Sequence, residues 1–287
     1  MFCLFATALA FFALPMAIYG EGSRPEIKRV VVFGIDGGGA FVQWGNAPNL
    51  KNFIKESAYT FEAKAMTPTI SAQNWGAMIH GVGPSKHGLT NEIAESTPYP
   101  EDSPYPSLFK LLQKERPDIV MASISGWTPL NRGIIEESVK MTKINGEDAE
   151  NTPKIVDYIK NNDFQLLFIH HERMDDIGHA HGWNSTEYIN AWPQTDEMFG
   201  QVLAAIDESG KRKDTIVVVT CDHGGLGKTH GGTTPGELNI LWAARGPGIE
   251  ARQIKGQVRN MDVAYVMADA LGFKPPANWD ARLPDIY

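Results

Sequence analysis

The sequence predicts an α/β protein with a mostly parallel central sheet and helices on both faces. Three observations carry that expectation. Apolar runs occur at Val30–Ile35, Phe164–Ile169 and Thr215–Thr220, the first and last rich in β-branched residues, the pattern of strands buried on both faces. Helical segments alternate with them, which is the arrangement that produces parallel pairing. Each run also ends in carboxylate or imidazole side chains: Asp36, the segment from His170 to His181, and Asp222-His223. In open α/β sheets, ligands bind at the C-terminal ends of the strands.

At 287 residues and 43% hydrophobic content, the chain can bury the core of one α/β domain. A net charge of −8 argues against a broad basic face for a nucleic acid duplex. Phe2 to Ile18 are apolar and uncharged, broken by Pro15 and followed by Gly20-Glu21-Gly22-Ser23. This reads as a signal peptide over residues 1–22 and implies a secreted or periplasmic protein. No Lys or Arg precedes the run, so an uncleaved anchor is the alternative. Cleavage removes Cys3 and leaves Cys221 as the single cysteine, with no internal disulfide.

After the first strand, residues 46–56 read as a helix carrying Leu50, Phe53 and Ile54, and residues 59–65 as an extended segment. A helix follows from Ser71 to about Gly81, then a turn at Pro84-Ser85-Lys86-His87-Gly88 and a proline-rich loop over 97–106 that would shape access. Residues 107–115 read as a helix, 118–123 as a strand, 151–160 as the start of a helix, 184–207 as a long helix, 239–244 as a strand and 262–271 as a closing helix.

Ser71 opens its helix and has two readings. It is either an N-cap, a position serine favours, or a nucleophile where free N–H groups and the helix dipole gather phosphate oxygens. A serine hydroxyl needs an activator. Six residues supply one: Asp36, Asp175, His179, Asp222, His223 and His230 form a mixed carboxylate and imidazole set that suits two zinc ions. Three carboxylates against two divalent cations leave a formal charge of about +1, enough to draw phosphate to an acidic protein.

These segments, taken together and in order, resemble the alkaline phosphatase superfamily, and within it the type I phosphodiesterase and nucleotide pyrophosphatase branch. The matching pieces are Gly34-Ile35-Asp36-Gly37, Ser71-Ala72-Gln73-Asn74, Pro84–Gly88, Asp175-Asp176-Ile177-Gly178-His179, Asp222-His223-Gly224 and His230-Gly231-Gly232. The resemblance implies an alkaline phosphatase-like catalytic domain over residues 23–287. It implies that Asp175, His179 and His230 hold one zinc, that Asp36, Asp222, His223 and the Ser71 oxygen hold the other, and that Asn74 binds phosphate. His170, His171 and His181 match no role. The family's nucleotide-cleaving members usually carry threonine where this chain has Ser71. The cysteine or serine followed by Pro and Arg that marks sulfatases is absent, since Ala-Gln-Asn follows Ser71, and so is the large inserted cap of the cofactor-independent phosphoglycerate mutases, which share this branch's metal core.

The function expected is hydrolysis of a small phosphorylated substrate, a phosphodiester or nucleotide pyrophosphate, through a phosphoserine at a two-zinc site. The alternative within the superfamily is a phosphomonoesterase, or a phosphonate or sulfate ester hydrolase. Lys228 is the residue that would favour a monoester, by pairing with a terminal phosphate. Trp75, Trp127 and Trp183 are candidates for stacking on a base, though core or wall roles suit them as well. A metal-loaded binding protein without turnover is the reading from a different class.

Overall fold

The computed structural model describes residues 25–287, so the expected signal peptide and Cys3 lie outside the described residues. Eight strands form one sheet: β1 (Arg29–Ile35), β2 (Ala58–Lys64), β3 (Met121–Ser125), β4 (Thr142–Asn145), β5 (Leu166–His171), β6 (Thr215–Cys221), β7 (Asn239–Arg245) and β8 (Arg252–Gln253). Their order is β4-β3-β5-β1-β6-β7-β2-β8. Neighbours are parallel from β4 through β6. β7 is antiparallel to both β6 and β2, and β8 is parallel to β2, so β7 alone is reversed. The architecture is the mostly parallel α/β sheet that the sequence predicts.

The three strands read most directly from the sequence, β5, β1 and β6, lie side by side at the centre and are buried along their whole length. Period-2 alternation then divides their side chains between two helical layers. On one face Phe33 packs against Phe199 of the Thr186–Glu208 helix, which in turn meets Phe53 of the Pro48–Lys55 helix. On the other face Phe168 packs against Trp75 of the Ser71–His80 helix and Phe109 of the Leu108–Glu115 helix.

Register fixes where the chemistry falls. Ile35 pairs with His171 on one side and Cys221 on the other. Asp36, Glu172 and Asp222 therefore leave the sheet in one row. Two edge strands were not expected. β4 is a four-residue Thr-Lys-Ile-Asn segment that is largely exposed, and β8 has two residues. No helix among the described residues is long and apolar enough to cross a membrane.

Candidate functional site

Ser71 is the first residue of its helix; Ile70 occupies the capping position and its side chain makes no capping bond. The N-cap reading of Ser71 therefore gives way. Its hydroxyl lies 3.3 Å from His223 Nε2 in a site where Ser71 is 7% exposed. A glycine is needed opposite: Gly37 has φ +62°, and a Cβ there would come within 2.8 Å of Asp175 Cα. That close approach brings β1 and the Arg173–His181 helix together.

The structure gathers the six expected ligand residues in two groups. Asp36, Asp222 and His223 form one, and Asp175, His179 and His230 the other, with the ligand atoms of each group within 4.8 Å of one another. The four-residue spacing of Asp175 and His179 places them on one face of the Arg173–His181 helix, 3.4 Å apart.

Hydrogen bonding decides what this cluster can hold. Each ligand imidazole uses Nδ1 on a main-chain carbonyl: His223 on Gly224 (2.9 Å), His230 on Thr69 (2.7 Å) and His179 on Lys228 (3.0 Å). A neutral ring that donates through Nδ1 presents a bare lone pair at Nε2. His223 is held neutral, since burial pushes its pKa down to about 3 against the opposing pull of Asp36. Burial also lowers the pKa of His230. The His223 lone pair then faces Asp222 Oδ2 at 3.1 Å and Asp36 Oδ1 at 3.5 Å. His230 Nε2 and His179 Nε2 face each other at 3.2 Å. Acceptors thus confront acceptors.

The carboxylates repeat the pattern. Asp36 Oδ1, Asp175 Oδ1 and Asp222 Oδ2 are buried without a hydrogen-bond partner. The other oxygen of Asp222 accepts from Gly37 N (3.0 Å) and His223 N (2.8 Å). Burial, together with the charge of Asp36, pushes Asp175 up to about 9 and Asp222 well above the carboxylate range. Asp36 settles at about 2: burial opposes ionisation, but the His170 hydrogen bond and the nearby imidazoles outweigh it. Without a cation this buried cluster of acceptors is relieved only by the Ser71 hydroxyl and by protons kept on Asp175 and Asp222, and a divalent cation would take the place of those protons. This arrangement also argues against a serine–histidine dyad as the activating unit, because the His223 lone pair is shared with two carboxylates. The donor set fits divalent zinc.

Other sequence expectations meet different geometry. Asn74 is fully buried and turned away from the site. Its Nδ2 donates toward Met66 O, Pro68 O and Ile70 O, and its Oδ1 accepts from Met66 N and Asn260 Nδ2. The phosphate-binding expectation for Asn74 is corrected accordingly, because its amide is consumed in closing the loop before Ser71. Sequence reasoning missed Asn91. Its Oδ1 accepts from Ala72 N at 2.9 Å, beside Ser71, and its Nδ2 donates to no acceptor among the described residues. The signal was present in the Pro84–Gly88 turn three residues upstream, which folds the chain back under the Ser71 helix through His87 Nε2 and Gln73 O (3.1 Å).

Lys228 donates to Ala180 O at 2.8 Å, so its ammonium caps the Arg173–His181 helix. Trp75 and Trp183 are buried; Trp183 donates to Gly37 O at 2.7 Å, and Tyr188 Oη donates to the same oxygen at 2.7 Å. Both tryptophans are walls rather than stacking platforms. His171 lies on the far face of the sheet, with its ring 4.5 Å from Phe33.

Comparison with known proteins follows the same lines. A family profile described as "Type I phosphodiesterase / nucleotide pyrophosphatase" matches residues 30–96 and 120–229. GPI ethanolamine phosphate transferase 2 of Aspergillus fumigatus is 23% identical over 242 residues, 77% of this chain and 32% of that protein. GPI ethanolamine phosphate transferase 3 of Schizosaccharomyces pombe is 26% identical over 196 residues, 65% of this chain and 20% of that protein. The chain thus spans a third or less of the length of these curated relatives. Among solved structures, inactive murine ectonucleotide pyrophosphatase/phosphodiesterase 5 in complex with AMP superposes with a TM-score of 0.73 at 12% identity, covering 89% of this chain and 98% of that one. The 2-O GAG sulfatase BT1596 superposes with a TM-score of 0.69 at 15% identity, covering 91% and 73%.

Proposed function

We propose, from the premise that this chain belongs to the type I phosphodiesterase / nucleotide pyrophosphatase family, that it hydrolyses phosphodiester or nucleotide pyrophosphate bonds through a phosphoserine at Ser71. The observation that carries the reading is the convergence of three orphaned carboxylate oxygens and three imidazole Nε2 atoms in two adjoining groups, with the Ser71 hydroxyl 3.3 Å from one of them, His223 Nε2. Asp36, Asp222, His223 and Ser71 would hold one divalent cation, and Asp175, His179 and His230 another. When bound, two such ions lower the pKa of the attacking hydroxyl and neutralise charge on the attacking and leaving oxygens.

The chain's own groups supply the rest. Ser71 Oγ gives up its proton and forms the bond to phosphorus as the bond to the leaving oxygen, of an alcohol or of a phosphate, breaks and that oxygen takes up a proton. Water then adds its hydroxyl to phosphorus, the Oγ–phosphorus bond breaks, and the proton from that water returns to Ser71 Oγ. The free N–H groups at the start of the Ser71–His80 helix and the Asn91 amide hold a non-bridging oxygen, a role suited to preorganised donors. The commitment of Lys228 to Ala180 O removes the cation that would have favoured a terminal phosphate, which supports diesters over monoesters. The ethanolamine phosphate transferases among its relatives give a second reading, in which an alcohol rather than water takes the phosphoryl group from Ser71.

The test is turnover of bis(nitrophenyl) phosphate, a nitrophenyl nucleotide monophosphate and nitrophenyl phosphate, with and without zinc, beside Ser71→Ala. Zinc- and Ser71-dependent cleavage favouring the diesters supports the proposal. Preference for the monoester makes it a phosphatase, and undiminished turnover by Ser71→Ala contradicts the covalent route. Phosphoryl transfer to an added alcohol in excess of hydrolysis favours the transferase reading.

A further inference from the structure

His170 matches no expected ligand role, yet it is fully buried beside the site. Its Nε2 donates to Asp36 Oδ2 at 3.0 Å, and Trp75 Nε1 donates to the same oxygen at 2.9 Å. Two N–H donors saturate Oδ2. The other oxygen, Oδ1, is buried, has no hydrogen-bond partner and points toward His223 Nε2.

We infer that His170 and Trp75 are positioning residues that lock Asp36 with Oδ1 forward, as a one-oxygen ligand of the Asp36/Asp222/His223 group. The inference rests on the two-cation reading above. Asp36 follows β1 directly, and its side chain is 2% exposed. Without outside donors the carboxylate would be free to turn and present either oxygen, or both. Two N–H groups on Oδ2 remove that freedom and set the direction of the remaining lone pairs.

The donors are themselves fixed. Trp75 lies one turn after Ser71 on the same helix face, so the helix that presents the nucleophile also orients Asp36. Gly34 makes room for the indole: a Cβ there would come within 2.5 Å of its ring. The His170 ring lies 4.7 Å from Trp75, edge to face, and 6.4 Å from Trp127 in a stacked arrangement. Its Nδ1 is 3.9 Å from Glu172 Oε2, too far for a hydrogen bond, so Nε2 is left as the donating nitrogen.

Zinc affinity of each group, measured by competition against a chromophoric chelator, and the visible absorption of the Co2+-substituted protein test this. Trp75→Phe keeps the ring and removes the donor; His170→Leu removes the imidazole; His170→Gln restores an N–H. We expect Trp75→Phe and His170→Leu each to weaken one of two bound ions by roughly 10–100-fold and to alter the Co2+ spectrum. The second ion should bind as before, and His170→Gln should recover most of the loss. If the wild type binds two ions and Trp75→Phe and His170→Leu both match it in affinity and spectrum, the inference is wrong. If the wild type binds none, the two-cation reading falls and takes the inference with it.

Discussion

Asp222 shows how a residue here is unfavourable for folding and favourable for function. Its Oδ2 is buried, unpartnered and faces a lone pair of His223. Asp222→Asn places an N–H among those acceptors, so the metal-free protein should gain about 1 kcal/mol in a urea titration, while zinc affinity falls. Stability unchanged or lowered without metal would count against the acceptor-against-acceptor geometry. Asn91 and Asn74 give a second contrast. Asn91→Ala should lower kcat/KM by roughly 100–1000-fold, as removal of one oxyanion donor does, and cost only about 1 kcal/mol of stability for the lost bond to Ala72 N. Asn74→Ala should instead destabilise the fold, because five polar contacts in the 66–70 loop and at Asn260 depend on it. Equal kinetic losses with no difference in melting would reverse the two roles.

At the scale of elements, the Pro84–His87 turn supports the nucleophile helix and brings acid sensitivity with it. His87 donates through Nε2 to Gln73 O and accepts at Nδ1 from Leu89 N (3.0 Å), an arrangement only the neutral ring satisfies. Burial, reinforced by repulsion from His80, lowers its pKa to about 3. The folded value lies below the unfolded one, so His87 contributes its full stability above about pH 6.5 and loses it progressively as pH falls toward 3. Denaturation midpoints at pH 7 and 4.5 should therefore converge between wild type and His87→Gln; parallel profiles would show that His87 is not the sensitive group.

The same scale shows what the sequence could reveal. β1, β5 and β6 were legible because a strand buried on both faces leaves a continuous apolar run, and the ligands follow directly from those runs. The Asp175–His179 pair was legible through the family resemblance, whose four-residue spacing also places the two on one helical face. β4 and β8 were not, because four exposed or half-exposed residues and two edge residues carry no periodic signal. The positions of Asn74 and Asn91 depend on a loop closing and a turn folding back, and such tertiary choices leave no trace in local pattern. His170 was visible only as an extra imidazole until its Nε2 was found on Asp36.

For the whole molecule, the parallel register of β5, β1 and β6 brings Asp36 and Asp222 from distant parts of the chain to one row, so that fold and the proposed metal site would stabilise one another. Occupied at 100 times the dissociation constant, one site contributes about 2.7 kcal/mol, or roughly 5–10 °C in melting temperature for a chain of this size. Chelation should lower the melting temperature by at least that amount, and zinc should restore it; a melt indifferent to chelator would mean that the acceptor cluster tolerates being empty. The most direct measurement is the zinc content of the protein after exhaustive dialysis from excess zinc, alongside His230→Ala. Two ions per wild-type chain and one in the variant are the predicted result. A wild type that retains no zinc would contradict the two-cation centre on which the proposed chemistry depends.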